Sequence, residues 1–127
     1  MNIAIDTNRY SDLCRDDPTV VRVIESADRV VLPFVVLGEL RSGFGLGGQA
    51  RRNEQALARF LQLPQVEPLF ADDATTRIYA LIYADLRQSG TPIPTNDIWI
   101  AAIVLQHDLV LFSRDRQFDV VPRIARV

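Results

Sequence analysis

The sequence predicts an α/β protein in which helices cover both faces of a short parallel sheet. Short apolar runs alternate with longer segments of helical periodicity, a pattern typical of strand–helix units in a parallel sheet. The apolar runs are continuous rather than alternating, as expected for strands that are buried on both faces. At 127 residues, the chain is expected to form a single domain over residues 1–127, a three-layer α/β/α sandwich.

The order of the elements follows from these runs and from the glycines and prolines between them. Strands are predicted at residues 2–5, 29–33, 66–69 and 109–112, with a last short strand within 120–127. Helices are predicted at residues 9–14, from 18 onward, and at 34–41, 49–63, 73–89 and 94–105. Pro68 places the third strand near an edge of the sheet. The glycine-rich stretch 42–48 is predicted to be a flexible loop, and Gly90 to end a helix.

Two helices carry more specific expectations. The segment 94–105 is apolar on every side, which is typical of a buried helix. Thr95 or Asn96 is expected to cap it, so Asp97 falls in the first turn, where the helix dipole favours an ionised carboxylate. The segment 73–89 is amphipathic, and its inward face is predicted to be Ile78, Leu81, Ile82 and Leu86.

The composition excludes several classes of protein. No run approaches the roughly 18 apolar residues of a membrane span, and the N-terminus lacks the basic start of a signal peptide. A single cysteine, Cys14, excludes an internal disulfide, so the reducing cytoplasm is the expected location and Cys14 is interpreted as a small apolar filler. The net charge is only −2, and all 14 basic residues are arginines. The chain therefore has no overall field that would attract nucleic acid.

Four acidic residues are expected at one edge of the sheet. Asp6 follows the first strand, Asp115 follows the strand at 109–112, and Asp97 begins a helix. Strand carboxyl ends and helix amino ends share one edge of a parallel sheet, which is where such folds bind ligands. Glu39 lies in an apolar segment, where a carboxylate is costly to bury without a partner. Each acid alone could be a cap or an arginine partner, but four on one edge suggest a common site.

Such a cluster needs compensation. Two ionised carboxylates ~5 Å apart repel by about 3 kcal/mol at an effective dielectric constant of 20. The cluster must therefore be protonated, be paired with arginine, or hold a cation. Oxygen ligands without histidine or cysteine select hard ions such as Mg²⁺ or Mn²⁺, which support phosphoryl chemistry. The one histidine, His107, is predicted at the far end of the helix that Asp97 begins, so histidine-based catalysis has no support.

Four segments together resemble the PIN-domain family, and most closely the VapC toxins of bacterial toxin–antitoxin pairs. The resemblance covers essentially the whole chain, in the order of the family motifs. The motifs are Asp6-Thr7-Asn8, Gly38-Glu39-Leu40, Asn96-Asp97-Ile98-Trp99-Ile100-Ala101-Ala102 and Ser113-Arg114-Asp115-Arg116-Gln117-Phe118. The third motif is the most specific of the four.

This resemblance implies a metal-dependent endoribonuclease that a small cognate VapB-like antitoxin holds inactive. Asp6, Glu39, Asp97 and Asp115 match the family's acidic quartet, of which Asp115 stands at the most variable position. Ser113 matches a small hydroxyl position and Asn8 a polar position beside the first acid, both in supporting roles. Asp6 and Asp97 are expected to bind Mg²⁺ or Mn²⁺ directly, with Asp115 and Glu39 completing the site or holding water for attack on an RNA phosphodiester.

Other nucleotide and phosphate chemistries fit the sequence less well. Residues 43–48 match G-x-G-x-x-G, but a helix rather than a strand precedes them, which is the wrong context for a dinucleotide site. An aspartate after the first strand is also found in phosphatases and receiver domains that form an aspartyl phosphate. Those sites and the P-loop need a lysine, and this chain has none. The remaining alternative is a non-catalytic module of the same fold that binds protein or RNA.

Contacts with RNA must depend on local arginines because the net charge gives no help. The candidates are Arg114 and Arg116, beside Asp115, and Arg51 and Arg52, for which ordinary solvated charge is the alternative. An antitoxin could use the same arginines. The resemblance also implies a homodimer, to which the apolar segment 34–40 could contribute.

Overall fold

The computed structural model describes all residues from Met1 to Val127. It contains five strands, six α-helices and one 3₁₀ helix, Arg116–Val120. The strands are β1 (Asn2–Ile5), β2 (Arg29–Pro33), β3 (Val66–Leu69), β4 (Val110–Phe112) and β5 (Ala125–Arg126). The α-helices are α1 (Thr7–Cys14), α2 (Pro18–Ser26), α3 (Phe34–Leu46), α4 (Ala50–Leu61), α5 (Asp73–Gln88) and α6 (Thr95–Gln106).

The strands form one parallel sheet in the order β3-β2-β1-β4-β5. The prediction of a parallel sheet is confirmed, and β3, which contains Pro68, lies at an edge as expected. The chain leaves the central strand β1 toward β2 and β3 on one side and later adds β4 and β5 on the other. A sheet of this kind opens a crevice at the carboxyl ends of the two strands where the direction of winding changes, here β1 and β4.

The central strands are buried on both sides, which confirms the three-layer architecture. Ile3, Ala4 and Ile5 of β1 have no exposed surface, and neither do Val30–Leu32 of β2. Helix α6 is buried along most of its length, as its apolar sequence predicts. Its small Ala101 and Ala102 lie in a second apolar cluster, with residues of α5. None of the helices has the length and apolarity needed to cross a bilayer.

The prediction of a loop at residues 42–48 is wrong for most of that stretch. Helix α3 continues through Gly43 and Gly45 to Leu46, and only a short turn separates it from α4. Two contacts explain the continuation. Phe44 packs against the main apolar core, and the Ser42 hydroxyl donates to the Gly38 carbonyl at 2.8 Å, within the helix. Tertiary packing here outweighs the low helix propensity of glycine.

Three smaller expectations are also corrected. Thr95 and Asn96 do not cap α6, because the extended residue Pro94 is the N-cap and both side chains fall inside the first turn. Leu81 is 62% exposed, since α5 packs through the face that carries Ile82 and Leu86. Cys14 is exposed rather than a buried filler, because it ends α1 at a surface groove.

Candidate active site

Asp6 lies at the carboxyl end of β1 and is the N-cap of α1. Its side chain is almost fully buried, at 6% exposure. One carboxylate oxygen accepts from the Arg9 backbone N–H at 2.9 Å, and the other accepts from the hydroxyl of Ser113, which follows β4. Both oxygens therefore have fixed orientations. The capping role that the sequence allowed is real, and it holds the carboxylate at the edge of the sheet.

Asp115 reaches the same edge from the end of β4. Its backbone N–H donates to the Ser113 hydroxyl at 3.0 Å, and its carboxylate accepts from the Gln117 N–H at 2.9 Å, which caps the 3₁₀ helix. The Ser113 hydroxyl consequently links the backbone of Asp115 to the carboxylate of Asp6. This contact explains why a small hydroxyl residue stands at position 113, where only 4% of the side chain is exposed.

Glu39 and Asp97 complete the group from two helices. Glu39, in the second turn of α3, accepts a hydrogen bond from the Thr7 hydroxyl at 3.0 Å. Asp97 lies in the first turn of α6, and its pKa is raised from 3.8 to about 6. Burial is the largest cause of this shift, followed by the negative charges of Asp115, Glu39 and Asp6. All three of the other acids therefore act on Asp97 electrostatically.

The four acids line one cavity of about 160 Å³, together with Thr7, Asn8 and Ile100. The structure thus brings the four predicted acids together at one edge of the sheet. None of the chain's ion pairs involves any of the four acids, so no arginine is in direct contact with them. Glu39 also lines a wider neighbouring groove of about 600 Å³, with Phe34, Val35, Gly38, Ser42 and Asn96. The acidic cavity and this wider groove therefore share Glu39.

The donor set fits a hard divalent cation. Carboxylates, with the Thr7 hydroxyl and the Asn8 amide nearby, supply the oxygen ligands that Mg²⁺ and Mn²⁺ prefer. No three acidic, histidine or cysteine side chains are close enough to hold an ion as they stand. Asp6, Asp115 and Glu39 each have a hydrogen-bond partner within the protein. His107 is the C-cap of α6, at the end opposite Asp97, as expected.

The predicted arginines divide into two groups. Arg114 and Arg116 are exposed and flank Asp115 in the chain, but neither lines the acidic cavity. The Arg114 guanidinium is bound to the Asp12 carboxylate, at 3.1 Å from Nε and 3.3 Å from Nη2. Arg51 and Arg52 are exposed on α4, and Arg52 lines a separate groove with Cys14. The structure therefore does not bring Arg51 and Arg52 to the acids.

Two residues with a clear role were not predicted. Thr7 binds Glu39, and its position between Asp6 and Asn8 in the first motif is the signal that could have indicated it. Asp12 is only 12% exposed and pairs with Arg9 as well as Arg114. The hydrogen bond from Arg114 is the main reason that the pKa of Asp12 is lowered. Its spacing of three residues from Arg9 suggests a local pair, but the contact with Arg114 depends on the fold.

Comparison with known proteins identifies the class that this fold and site define. The model of the PIN domain family matches residues 3–124. Ribonuclease VapC5 of Mycobacterium tuberculosis is 32% identical over 100 residues, which cover 79% of this chain and 74% of the relative. The chain therefore belongs to the PIN-domain family.

Solved structures agree with this fold. The crystal structure of VapBC-5, a member of the VapBC family of toxin–antitoxin systems from Mycobacterium tuberculosis, matches with 31% identity and a TM-score of 0.64. That match covers 79% of this chain and 83% of the other. VapBC-1 from nontypeable Haemophilus influenzae has a TM-score of 0.89 at 23% identity, covering 100% of this chain and 97% of the other. The second likeness supports the fold alone.

Proposed function

We propose that this chain is an endoribonuclease that depends on Mg²⁺ or Mn²⁺ and acts as the toxin of a VapBC-type pair. The observation that carries the proposal is the convergence of Asp6, Glu39, Asp97 and Asp115 on one cavity without an arginine partner. Membership of the PIN-domain family and the ribonuclease name of the relative VapC5 support the same activity. The cavity lies beside an open groove, which suits a polymeric substrate better than a small molecule.

Each acid has a distinct part in the proposed reaction. Asp6, Asp97 and Asp115 would hold the cation, and the contacts of Asp6 with Arg9 and Ser113 fix the direction of its carboxylate. Glu39 accepts a hydrogen bond from the Thr7 hydroxyl, and its proposed role is to orient a water molecule and accept its proton. When bound, the cation would activate that water and neutralise charge that develops on the phosphate.

Substrate binding falls to groups at the rim. Arg114 and Arg116 would contact RNA phosphates beside Asp115, and Asp12 would hold the Arg114 side chain in place. The Nε and Nη2 atoms of Arg114 donate to Asp12, which leaves the remaining N–H groups of the guanidinium to bind an RNA phosphate. Asn8 lines the cavity, where its amide can orient water or a phosphate oxygen.

We also propose a small VapB-like antitoxin as partner, in the reducing cytoplasm. The toxin–antitoxin family of the related VapBC-5 complex supports this assignment. Exposed Arg51 and Arg52 on α4 are available to that partner because they lie outside the acidic cavity. A homodimer stays a prediction. Within the segment 34–40, Val36, Leu37 and Leu40 are buried in the chain's own core, so Phe34 and Val35 are the apolar side chains that could contribute to it.

Cleavage of purified RNA tests the proposed activity. The wild-type chain is expected to cut RNA only when Mg²⁺ or Mn²⁺ is present and to stop when EDTA is added. Asp6→Asn should lower the rate at least ~100-fold because it removes a charged ligand. Asp73→Asn, a matched change in the first turn of another helix, should cleave like the wild type. Sequencing of the new 5′ ends would identify the RNA.

Two results would count against the proposal. Cleavage that persists in EDTA and in Asp6→Asn would place the activity elsewhere or assign it to a contaminant. Cation binding without any cleavage of RNA would favour the non-catalytic binding module.

A further inference from the structure

The segment Ser113–Asp115 carries two groups of the candidate site but belongs to no strand or helix. It joins the end of β4 to the 3₁₀ helix. Within it, the Ser113 hydroxyl touches Asp6, and the Asp115 N–H donates to that same hydroxyl. The geometry of the site therefore depends on what holds this short segment.

Arg126 holds it through a single side-chain nitrogen. Its Nη2 donates to the Ser113 carbonyl at 2.8 Å and to the Asp115 carbonyl at 2.9 Å. Its Nη1 is paired with Asp119 in the 3₁₀ helix. The Arg126 side chain is only 23% exposed, and its guanidinium carbon lies 5.9 Å from the centre of the Phe118 ring. One guanidinium thus binds the two carbonyls on either side of Arg114.

Arg126 is itself fixed by the sheet. It lies in β5 beside Leu111 of β4, and the next residue, Val127, donates its N–H to the Leu111 carbonyl at 3.0 Å. The backbone around Arg126 is therefore paired with β4 at Leu111, two residues before the segment that the Arg126 side chain binds. From another side, the Arg114 side chain ties the same segment to Asp12. Two arginines thus fix three consecutive residues.

We propose that Arg126 is a positioning residue that sets the cation affinity of the site through the Ser113–Asp115 segment. The proposal rests on the proposed function, in which Asp6 and Asp115 are cation ligands. Without Arg126, two partly buried carbonyls lose their donor and the segment can move. Ser113 then holds Asp6 less firmly, and Asp115 leaves its place. Mutation of a group that orients metal ligands in this way typically weakens metal binding roughly 10- to 100-fold.

The direction in which cation affinity changes when Arg126 is replaced distinguishes a positioning role from a purely electrostatic one. Arg126 is cationic and repels a divalent ion, so by Coulomb's law alone its removal would tighten cation binding. Positioning predicts the opposite change. Arg126→Lys keeps the charge but replaces the planar fork with a single ammonium group, which does not reproduce the same set of contacts. If Arg126 acts only through its charge, Arg126→Lys should bind the cation as tightly as the wild type. If Arg126 acts by positioning the segment, Arg126→Lys should bind the cation more weakly.

Two measurements on the full chain test the proposal. Calorimetric titration with Mn²⁺ should show affinity at least about tenfold weaker in Arg126→Gln. Arg126→Lys should lie between that variant and the wild type. Hydrogen exchange followed by NMR, without cation, should show protection of the Asp115 amide reduced about tenfold or more in Arg126→Gln. Arg123→Gln is the matched control, because Arg123 is 71% exposed in the same C-terminal segment, and both quantities should stay near wild type.

Unchanged or tighter Mn²⁺ binding in Arg126→Gln, together with an unchanged Asp115 amide, would overturn the proposal. If Arg126→Gln does not fold, the same comparison between Arg126→Lys and the wild type decides it, and equality of the two would refute it. If the wild type binds no Mn²⁺, the proposed function fails. The exchange of the Asp115 amide then still decides whether Arg126 holds the segment.

Discussion

The four acids differ in how much of their hydrogen-bonding capacity the protein already uses. Asp6 is held at both carboxylate oxygens, while Glu39 and Asp115 each accept one hydrogen bond from a neighbour. Asp97 carries the electrostatic cost of the group, since its pKa is raised by burial and by the other three charges. The site is therefore destabilising at neutral pH in the absence of a cation. Such a cost is common where function requires like charges to converge.

The raised pKa of Asp97 predicts how stability changes with pH. Its pKa is about 6 in the folded chain and near 3.8 when unfolded, so the folded state binds the proton more tightly. The contribution of Asp97 to stability is therefore most favourable below pH 3.8 and is lost as the pH rises through about 6. Asp97→Asn removes the charge and should raise the free energy of unfolding at pH 7.5. The gain should be ~1 kcal/mol at most, because solvent screens this half-buried group.

Urea unfolding in EDTA at pH 4.5 and pH 7.5 measures this effect. The advantage of Asp97→Asn over the wild type should shrink at pH 4.5, where Asp97 is largely protonated. A stability advantage that is constant or larger at pH 4.5 would contradict the claim that the ionised Asp97 carboxylate destabilises the fold.

At the level of the elements, helix α3 shows where local sequence rules fail. The glycines of stretch 42–48 favour a loop by propensity, yet α3 runs through Gly43 and Gly45 to Leu46 because Phe44 packs on the core. Sequence periodicity cannot indicate that contact, because it depends on the tertiary fold. Gly47 is the C-cap of α3, so the expectation that glycine interrupts the helix is correct only at its end.

A pair of glycine substitutions tests this reading of α3. A Cβ at Gly43 would meet no atom within 4 Å, and the residue is helical, so Gly43→Ala should stabilise the fold by about 0.4–1 kcal/mol. Gly90→Ala is the contrasting variant, because Gly90 has a φ of +69° and alanine there should destabilise by roughly 1 kcal/mol. Chemical denaturation gives both values. Destabilisation by Gly43→Ala would show that this stretch is not a helix in solution.

The order of strands and helices was predictable because each is encoded by local periodicity and by proline or glycine at its ends. The site was predictable in part for a topological reason. In a parallel sheet, acids that follow strands and begin helices must lie on one edge, so Asp6, Asp97 and Asp115 could be grouped without coordinates. The roles of Asp12 and Arg126 were not predictable. Their partners are Arg114 and the carbonyls of the Ser113–Asp115 segment, and only the folded chain brings them together.

For the molecule as a whole, the sheet order determines where chemistry is possible. The central strand β1 and its neighbour β4 end at the point where the winding changes direction, and the acidic cavity lies there. The net charge of −2 leaves RNA binding to local groups. Arg114 and Arg116 stand beside a negative cavity, so a cation would also reduce the repulsion between the acids and an incoming phosphate.

The central claim is that the four acids form a cation site, and calorimetric titration with Mn²⁺ tests it most directly. The wild type and the control Asp73→Asn should bind with similar affinity. Asp97→Asn should bind at least ~100-fold more weakly, a difference of about 2.7 kcal/mol. Failure of the wild type to bind Mn²⁺, or equal binding by Asp97→Asn, would contradict the account.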